Sequence, residues 1–439
     1  VLFSDSQLAE LAHQLTADTS QLQTAAVAVA CSPSALLRSA AGAFGHSSFF
    51  RTPGGDEVAT LGTAMRFESS GEDRFRKLHR ELAGLPTLAP GVRLVLGFSF
   101  NPAGPDQPEW EGFGAADAIL PQVAVVKSAE ETRLVVAKPP GAEAEPLLGL
   151  LAGLEDPGEP LPPDPGVHTV ESVPSTIEWQ AEVAAAVGAI KDGSFEKVVL
   201  ARSVLVQSER PTDPYALVHY LGAANPHSYI YAVVVGERAF VGASPELLLA
   251  QQGRCVQVNP LAGSARRGKG EDDIAVGEAL LASGKDRAEH AIVVNDLVAR
   301  LGDLTSELEY SQVPSLRRMA TVQHLSTTIG GTLRPGVSTF DVLASIHPTP
   351  AVGGMPRLEA LAFIDKAEGI DRGWYAGGVG WITPEGDSQI ALALRCALVR
   401  GTTSRLYAGN GIVAESDPAA ELVETRLKFQ PLFNILAAT

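Results

Sequence analysis

The chain of 439 residues is 45% hydrophobic and 19% charged, a globular composition that excludes wholesale disorder. Its 34 Lys and Arg against 51 Asp and Glu give a net charge of −17, which argues against nucleic acid or an anionic membrane surface as the main partner. No apolar run reaches the roughly 20 residues needed to span a bilayer, and Cys31, Cys255 and Cys396 form no CxxC pair and read as reduced thiols.

The first residues, VLFSDSQLAELAHQL, lack the basic start and small-residue cleavage site of a secretory signal, so a cytoplasmic protein is expected. VRLVLGFSFN (Val92 to Asn101) reads as a strand, and QVAVVKSAEETRLVVAK reads as a hairpin. The proline- and acid-rich stretch from Ala137 to Ser175 reads as an exposed linker or surface excursion. Ser175 and Glu178 then form a capping box, apolar residues recur at helical spacing to Ile190, and Gly193 stops that helix. Phe195 to Val206 alternates like a strand.

YIYAVVVGERAFVGASPELLLAQQGRCVQVNPLAGSARRG reads as successive antiparallel strands, with Gly263 and Ser264 in a turn before two arginines. GEALLASGKDRAEHAIVVNDLVARLGDL reads as one long helix, and the run from Tyr375 to Val413 as paired strands with Gly-rich turns. Strands in runs with helices between them predict an α+β fold, helices packed outside antiparallel sheets. There is no GxGxxG after a first strand and no Walker A loop, which disfavours a dinucleotide or P-loop function.

Two helices each carry a pair of carboxylates at i and i+3: Asp286 with Glu289, and Glu421 with Glu424. Such pairs share one helical face. They are either solvated surface or a site for a hard divalent cation such as Mg²⁺, which prefers oxygen ligands. No His/Cys cluster has zinc spacing. Gly409 and Gly411, upstream of Glu421, form a tight turn or let backbone amides approach an anion. Arg395, among apolar neighbours, needs a partner and suits either a structural ion pair or bidentate carboxylate binding.

The segments EKVVLARS, GASPELLL, PLAGSARRG, KDRAEH, QHLSTTIGG, IHPTPAVGGMPR, YAGGVGW, LRCA and AGNGIVAESDPAAELVETRLKF occur in this order. Together they resemble the chorismate-utilising enzymes: isochorismate synthase, salicylate synthase, and the large component of anthranilate and aminodeoxychorismate synthases. The resemblance is strong from Glu178 to Leu436 and loose over 1–170. It implies one unit over 1–439, with the catalytic part in 171–439 and a Mg²⁺-dependent site between its two halves. It further implies chorismate as substrate and a monomer or weak homodimer.

By that resemblance Glu289 and Glu424 hold the cation directly or nearly so, and Asp286 and Glu421 support them. The cation in turn holds the ring carboxylate. Lys428, Gly411 and the Gly263–Ser264 segment lie near that carboxylate, Arg395 and Tyr375 clamp the enolpyruvyl carboxylate, and His324 is the site histidine. Ammonia-using members carry glutamine where this chain has Lys197. A lysine there implies water as nucleophile with Lys197 as base, its pKa lowered by burial or neighbouring cations. Glu246 is then the general acid for the C4 hydroxyl, kept protonated. Ala351 stands where salicylate and anthranilate synthases tend to carry threonine. That resembles isochorismate synthases and implies Mg²⁺-dependent isomerisation of chorismate to isochorismate. Salicylate synthase is the nearest alternative; a Mg²⁺-dependent phosphohydrolase and a non-catalytic acidic interaction protein are more distant ones.

Overall fold

The computed structural model describes residues 1–15, 20–40 and 42–436. Its strands form three antiparallel sheets, and its helices lie outside them. The largest sheet has twelve strands. Near its middle, Tyr229–Val235, Arg238–Ser244, Cys396–Arg400, Thr403–Ile412 and Lys197–Ser208 are consecutive neighbours. The N-terminal strands Gln23–Ala28, His46–Arg51, Glu57–Leu61, Val123–Lys127 and Thr132–Lys138 complete one end of this sheet. The second sheet has nine strands, among them Leu247–Gln252, Ser388–Leu392, Gly378–Ile382 and Leu94–Phe98. The third has three: Leu261–Arg266, Val322–Ser326 and Ser315–Arg318.

Both faces of the twelve-stranded sheet are covered. Along Tyr229–Val235, Tyr231 and Val233 enter a core shared with Leu94, Leu96 and Ile390 of the second sheet. Ile230 and Ala232 point the other way, into a core with Leu36, Leu217, Leu221 and Phe429 from the outer helices. Two buried faces explain why Lys197–Ser208 is buried along nearly its whole length instead of alternating as its sequence suggested.

Several sequence expectations hold. Val123–Lys127 and Thr132–Lys138 pair as a hairpin. The helix Thr176–Lys191 begins at the Ser175–Glu178 capping box, with both reciprocal bonds present. Others need correction. The supposed linker contains the helix Glu145–Ala152 and the strand Val167–Val173, which pairs with Lys197–Ser208 from Ser203 onward. The single long helix is two, Glu271–Ala282 and Gly284–Leu304. Ser283 adopts an extended backbone between them, and its hydroxyl caps the second by accepting from the Asp286 amide. The strand runs do not stay in one sheet: the chain crosses between sheets at Pro245, Pro260 and Leu394–Arg395.

Removing the hydroxyl with Ser175→Ala leaves an N-terminal amide of the helix without its acceptor. Chemical denaturation should show a loss of about 1 kcal/mol with turnover unchanged.

Candidate active site

Every site residue singled out from the sequence lines one cavity of about 90 Å³. The sheet crossings aim several of them. Glu246 follows the crossing at Pro245, and its carbonyl accepts from Leu392 N–H at 3.1 Å. Arg395 sits in the link between Ser388–Leu392 and Cys396–Arg400, not inside a strand, with φ 50. A positive φ in a non-glycine residue is uncommon and needs its surroundings to hold it. Gly263, expected in a turn, lies instead in the strand Leu261–Arg266 at a bulge between Ala262 and Ser264, with φ 70. Its backbone passes against the Asp286 side chain, where a Cβ would lie 2.9 Å from the Asp286 Cβ.

Gly409 and Gly411 also lie within a strand, Thr403–Ile412, and not in a loop. At Gly411 a side chain would collide with the Glu289 carboxylate and come within 2.8 Å of Lys197 Cε. That strand therefore leaves room for a buried ion pair: Lys197 Nζ lies 2.9 Å from Glu289, the lysine side chain being 1% exposed. Lys197 is not solvated, and its nearest charged partner is a carboxylate.

The opposite wall holds a chain of hydrogen bonds. The Arg395 guanidinium, which can only donate, reaches His324 Nε2 at 3.2 Å. In a neutral imidazole the hydrogen must then sit on Nδ1, which faces Ser264 Oγ at 2.9 Å. Burial, with Arg395 and Lys428 adding to it, holds His324 well below its ordinary pKa, so the neutral ring is the stable form. Ser264 also faces Glu424 and helps hold that carboxyl ionised. Lys428 binds Glu424 at 2.8 Å, the Gly409 carbonyl at 2.9 Å and Asn410 Oδ1 at 2.7 Å.

Environment separates the carboxyl groups. Burial raises Glu246 to about 8, against the lowering pull of a Leu261 backbone bond, Lys197 and Arg395. Burial and the neighbouring Glu424 raise Glu421. Burial also acts on Glu424, but Lys428, Arg395 and Ser264 outweigh it and hold that carboxyl below its ordinary value. Tyr375 is raised by burial and stacks on Tyr407 with ring centroids 5.5 Å apart. Ala351 lines the wall beside Val352.

Sequence reasoning missed Lys285, which lines the cavity 3.9 Å from Glu421. Its signal was its place in KDRAEH, one residue before Asp286. Among the described residues no group of three or more His, Cys, Asp or Glu converges closely enough to form a ready metal cage. The donor set nonetheless suits a hard cation. Asp286, Glu289, Glu421 and Glu424 present only oxygens to the cavity, and the one imidazole there has both nitrogens engaged. Mg²⁺ commonly takes only one or two carboxylates directly and completes its shell with water and substrate oxygens.

The family model described as chorismate binding enzyme matches residues 7–437. The salicylate biosynthesis isochorismate synthase of Pseudomonas aeruginosa is 36% identical over 86% of this chain and 82% of its own length. The isochorismate synthase MenF of Bacillus subtilis is 36% identical over 79% of this chain and 75% of its own. Among solved structures, the menaquinone-specific isochorismate synthase MenF of Escherichia coli superposes with a TM-score of 0.84 at 26% identity, covering 98% of this chain and 99% of that one. With the matched model spanning nearly the whole sequence, the chain belongs to the chorismate-binding enzyme family.

Proposed function

We propose that this enzyme is an isochorismate synthase that converts chorismate to isochorismate. The observation that carries the reading is the pairing of Lys197 and Glu246 on one cavity, with Glu246 held protonated at neutral pH by burial. A base and an acid poised in this way are what a substitution by water requires.

Arg395 is placed to take the enolpyruvyl carboxylate, with Tyr375 beside it. His324 accepts from Arg395 and so acts as a neutral holder of the guanidinium, not as a proton carrier. In its amine form Lys197 takes a proton from a water that bonds to C2. The double bonds shift, the C4–oxygen bond breaks, and Glu246 gives its proton to the departing hydroxide. Water is added and water is lost, so product and substrate are isomers. Glu289 and Glu424 would hold Mg²⁺, with Asp286 and Glu421 supporting them; the ion would supply positive charge for the ring carboxylate. The names of the relatives and the small side chain at Ala351 support isochorismate as the end product over further loss of pyruvate.

Chromatography of the products from chorismate, with Mg²⁺ or with EDTA, tests the reading. Isochorismate without pyruvate, abolished by EDTA, is the expected result. Salicylate with equal pyruvate would make the enzyme a salicylate synthase, and no conversion would overturn both readings. Lys197→Ala and Glu246→Gln should each reduce kcat by about 10²–10⁴-fold with circular dichroism unchanged. The acid form of Glu246 persists to about pH 8, so kcat/KM should fall as pH rises through that value. A flat profile to pH 9.5 would remove Glu246 from the role of acid.

A further inference from the structure

One buried ion pair beside the cavity has no part in the chemistry above. Glu368 stands at the end of the helix Arg357–Ala367, and Arg372 lies four residues on. Their side chains are 3% and 4% exposed, with Arg372 Nε donating to Glu368 Oε2 at 2.7 Å and Nη2 donating to Oε1. Burying two charges costs desolvation that their attraction barely repays, and an apolar pair of similar size is often as stable. Stability alone is therefore a poor reason for the pair.

Its other hydrogen bonds give a better one. The edge of the strand Lys197–Ser208 has two backbone partners with a gap between them. At one end Lys197 and Val198 pair with Gly354–Met355, and Val199 N–H donates to the Gly353 carbonyl at 2.8 Å. At the other end pairing with Val167–Val173 begins at Ser203. In the gap, Arg372 Nη2 donates to the Val199 carbonyl at 2.7 Å, and Glu368 accepts from Ala201 N–H at 2.7 Å. The two side chains take the place of the missing strand. Arg372 Nη1 also donates to the Val352 carbonyl at 2.8 Å, next to Ala351. The Arg372 carbonyl accepts from Tyr375 N–H at 2.9 Å.

We propose that Arg372 and Glu368 are a positioning pair that sets Lys197 in register with the Ala351–Val352 wall and with Tyr375. Neither residue lines the cavity; the pair acts through the three cavity segments it ties together. The proposal rests on the isochorismate synthase reading, in which Lys197 delivers water to C2.

The test compares wild type, the double variant Arg372→Met/Glu368→Met, and Glu368→Gln, which keeps an acceptor for the Ala201 amide. Each is assayed for fold by chemical denaturation, and for kcat, KM and pyruvate released per chorismate consumed. The double variant should fold and lose kcat by about ten- to a hundredfold, the scale expected for a misplaced catalytic group. Its KM should stay within about threefold of wild type, and Glu368→Gln should recover part of kcat. A folded double variant with wild-type kcat and product ratio would overturn the proposal. So would a kcat loss no larger than the loss of folded protein. Should the double variant not fold, Glu368→Gln decides: the loss of charge on the pair should lower kcat by about three- to tenfold with KM within about threefold of wild type, and wild-type kcat in this variant would overturn the proposal. Wild type that leaves chorismate untouched would instead sink the reading beneath it.

Discussion

A lysine ammonium at 1% exposure cannot be left alone, and the site is arranged around that constraint. Lys197 starts a strand whose both faces are covered, so bulk solvent hardly reaches its side chain, which opens only onto the cavity. Glu289 supplies the compensating charge from the helix Gly284–Leu304, and Gly411 supplies the space. A side chain at Gly411 would force the two apart. Leaving either charge buried and unpaired is among the larger penalties available to a folded chain. Strand, helix and glycine must therefore come together as one unit, although they lie far apart in sequence.

The crossings between sheets are the second ingredient. Most residues inside a regular strand face a core and are filled by packing, whereas a residue where the chain leaves one sheet for another faces the seam between them. Glu246 and Arg395 occupy such seams, and Gly263 lies just past the one at Pro260. Irregular backbone re-aims side chains in this way at the rims of sheets. Arg395 then joins His324 and Ser264 in a single run of hydrogen bonds.

Local signals in the sequence were reliable where the physics is local. The Ser175–Glu178 capping box and the hairpin of Val123–Lys127 with Thr132–Lys138 depend on neighbours a few residues away, and both were legible. The i,i+3 carboxylate pairs were visible as patterns, but nothing local distinguishes a solvated face from a buried one. Only the ordered motifs and their resemblance joined them. What stayed hidden depends on distant contacts. The strand Val167–Val173 looked like linker because its partner lies thirty or so residues on, in Lys197–Ser208. Gly263, Gly409 and Gly411 looked like turn residues, because a glycine needed for close approach inside a strand carries the same letter. Ser283 was passed over within an apparently continuous helix, although a serine before a new helical turn is a recognised stop and start.

One residue type shows three different tendencies to hold a proton here, and surroundings rather than identity set them. Glu246 faces burial with weak compensation and keeps its proton. Glu424 is only partly buried and meets Lys428, Arg395 and Ser264, and gives its proton up. Glu421 lies between, raised by burial and by Glu424 itself. An acid must hold a proton and a cation ligand must not, so the separation of these groups by position would let both proposed roles share one cavity. The cationic partners that make the difference come from several places: Lys428 from one turn further along the same helix as Glu424, Arg395 from a sheet crossing, Lys197 from a central strand. Changing the carboxylates alone could not reproduce the site; the placement of the positive charges sets what each carboxylate can do.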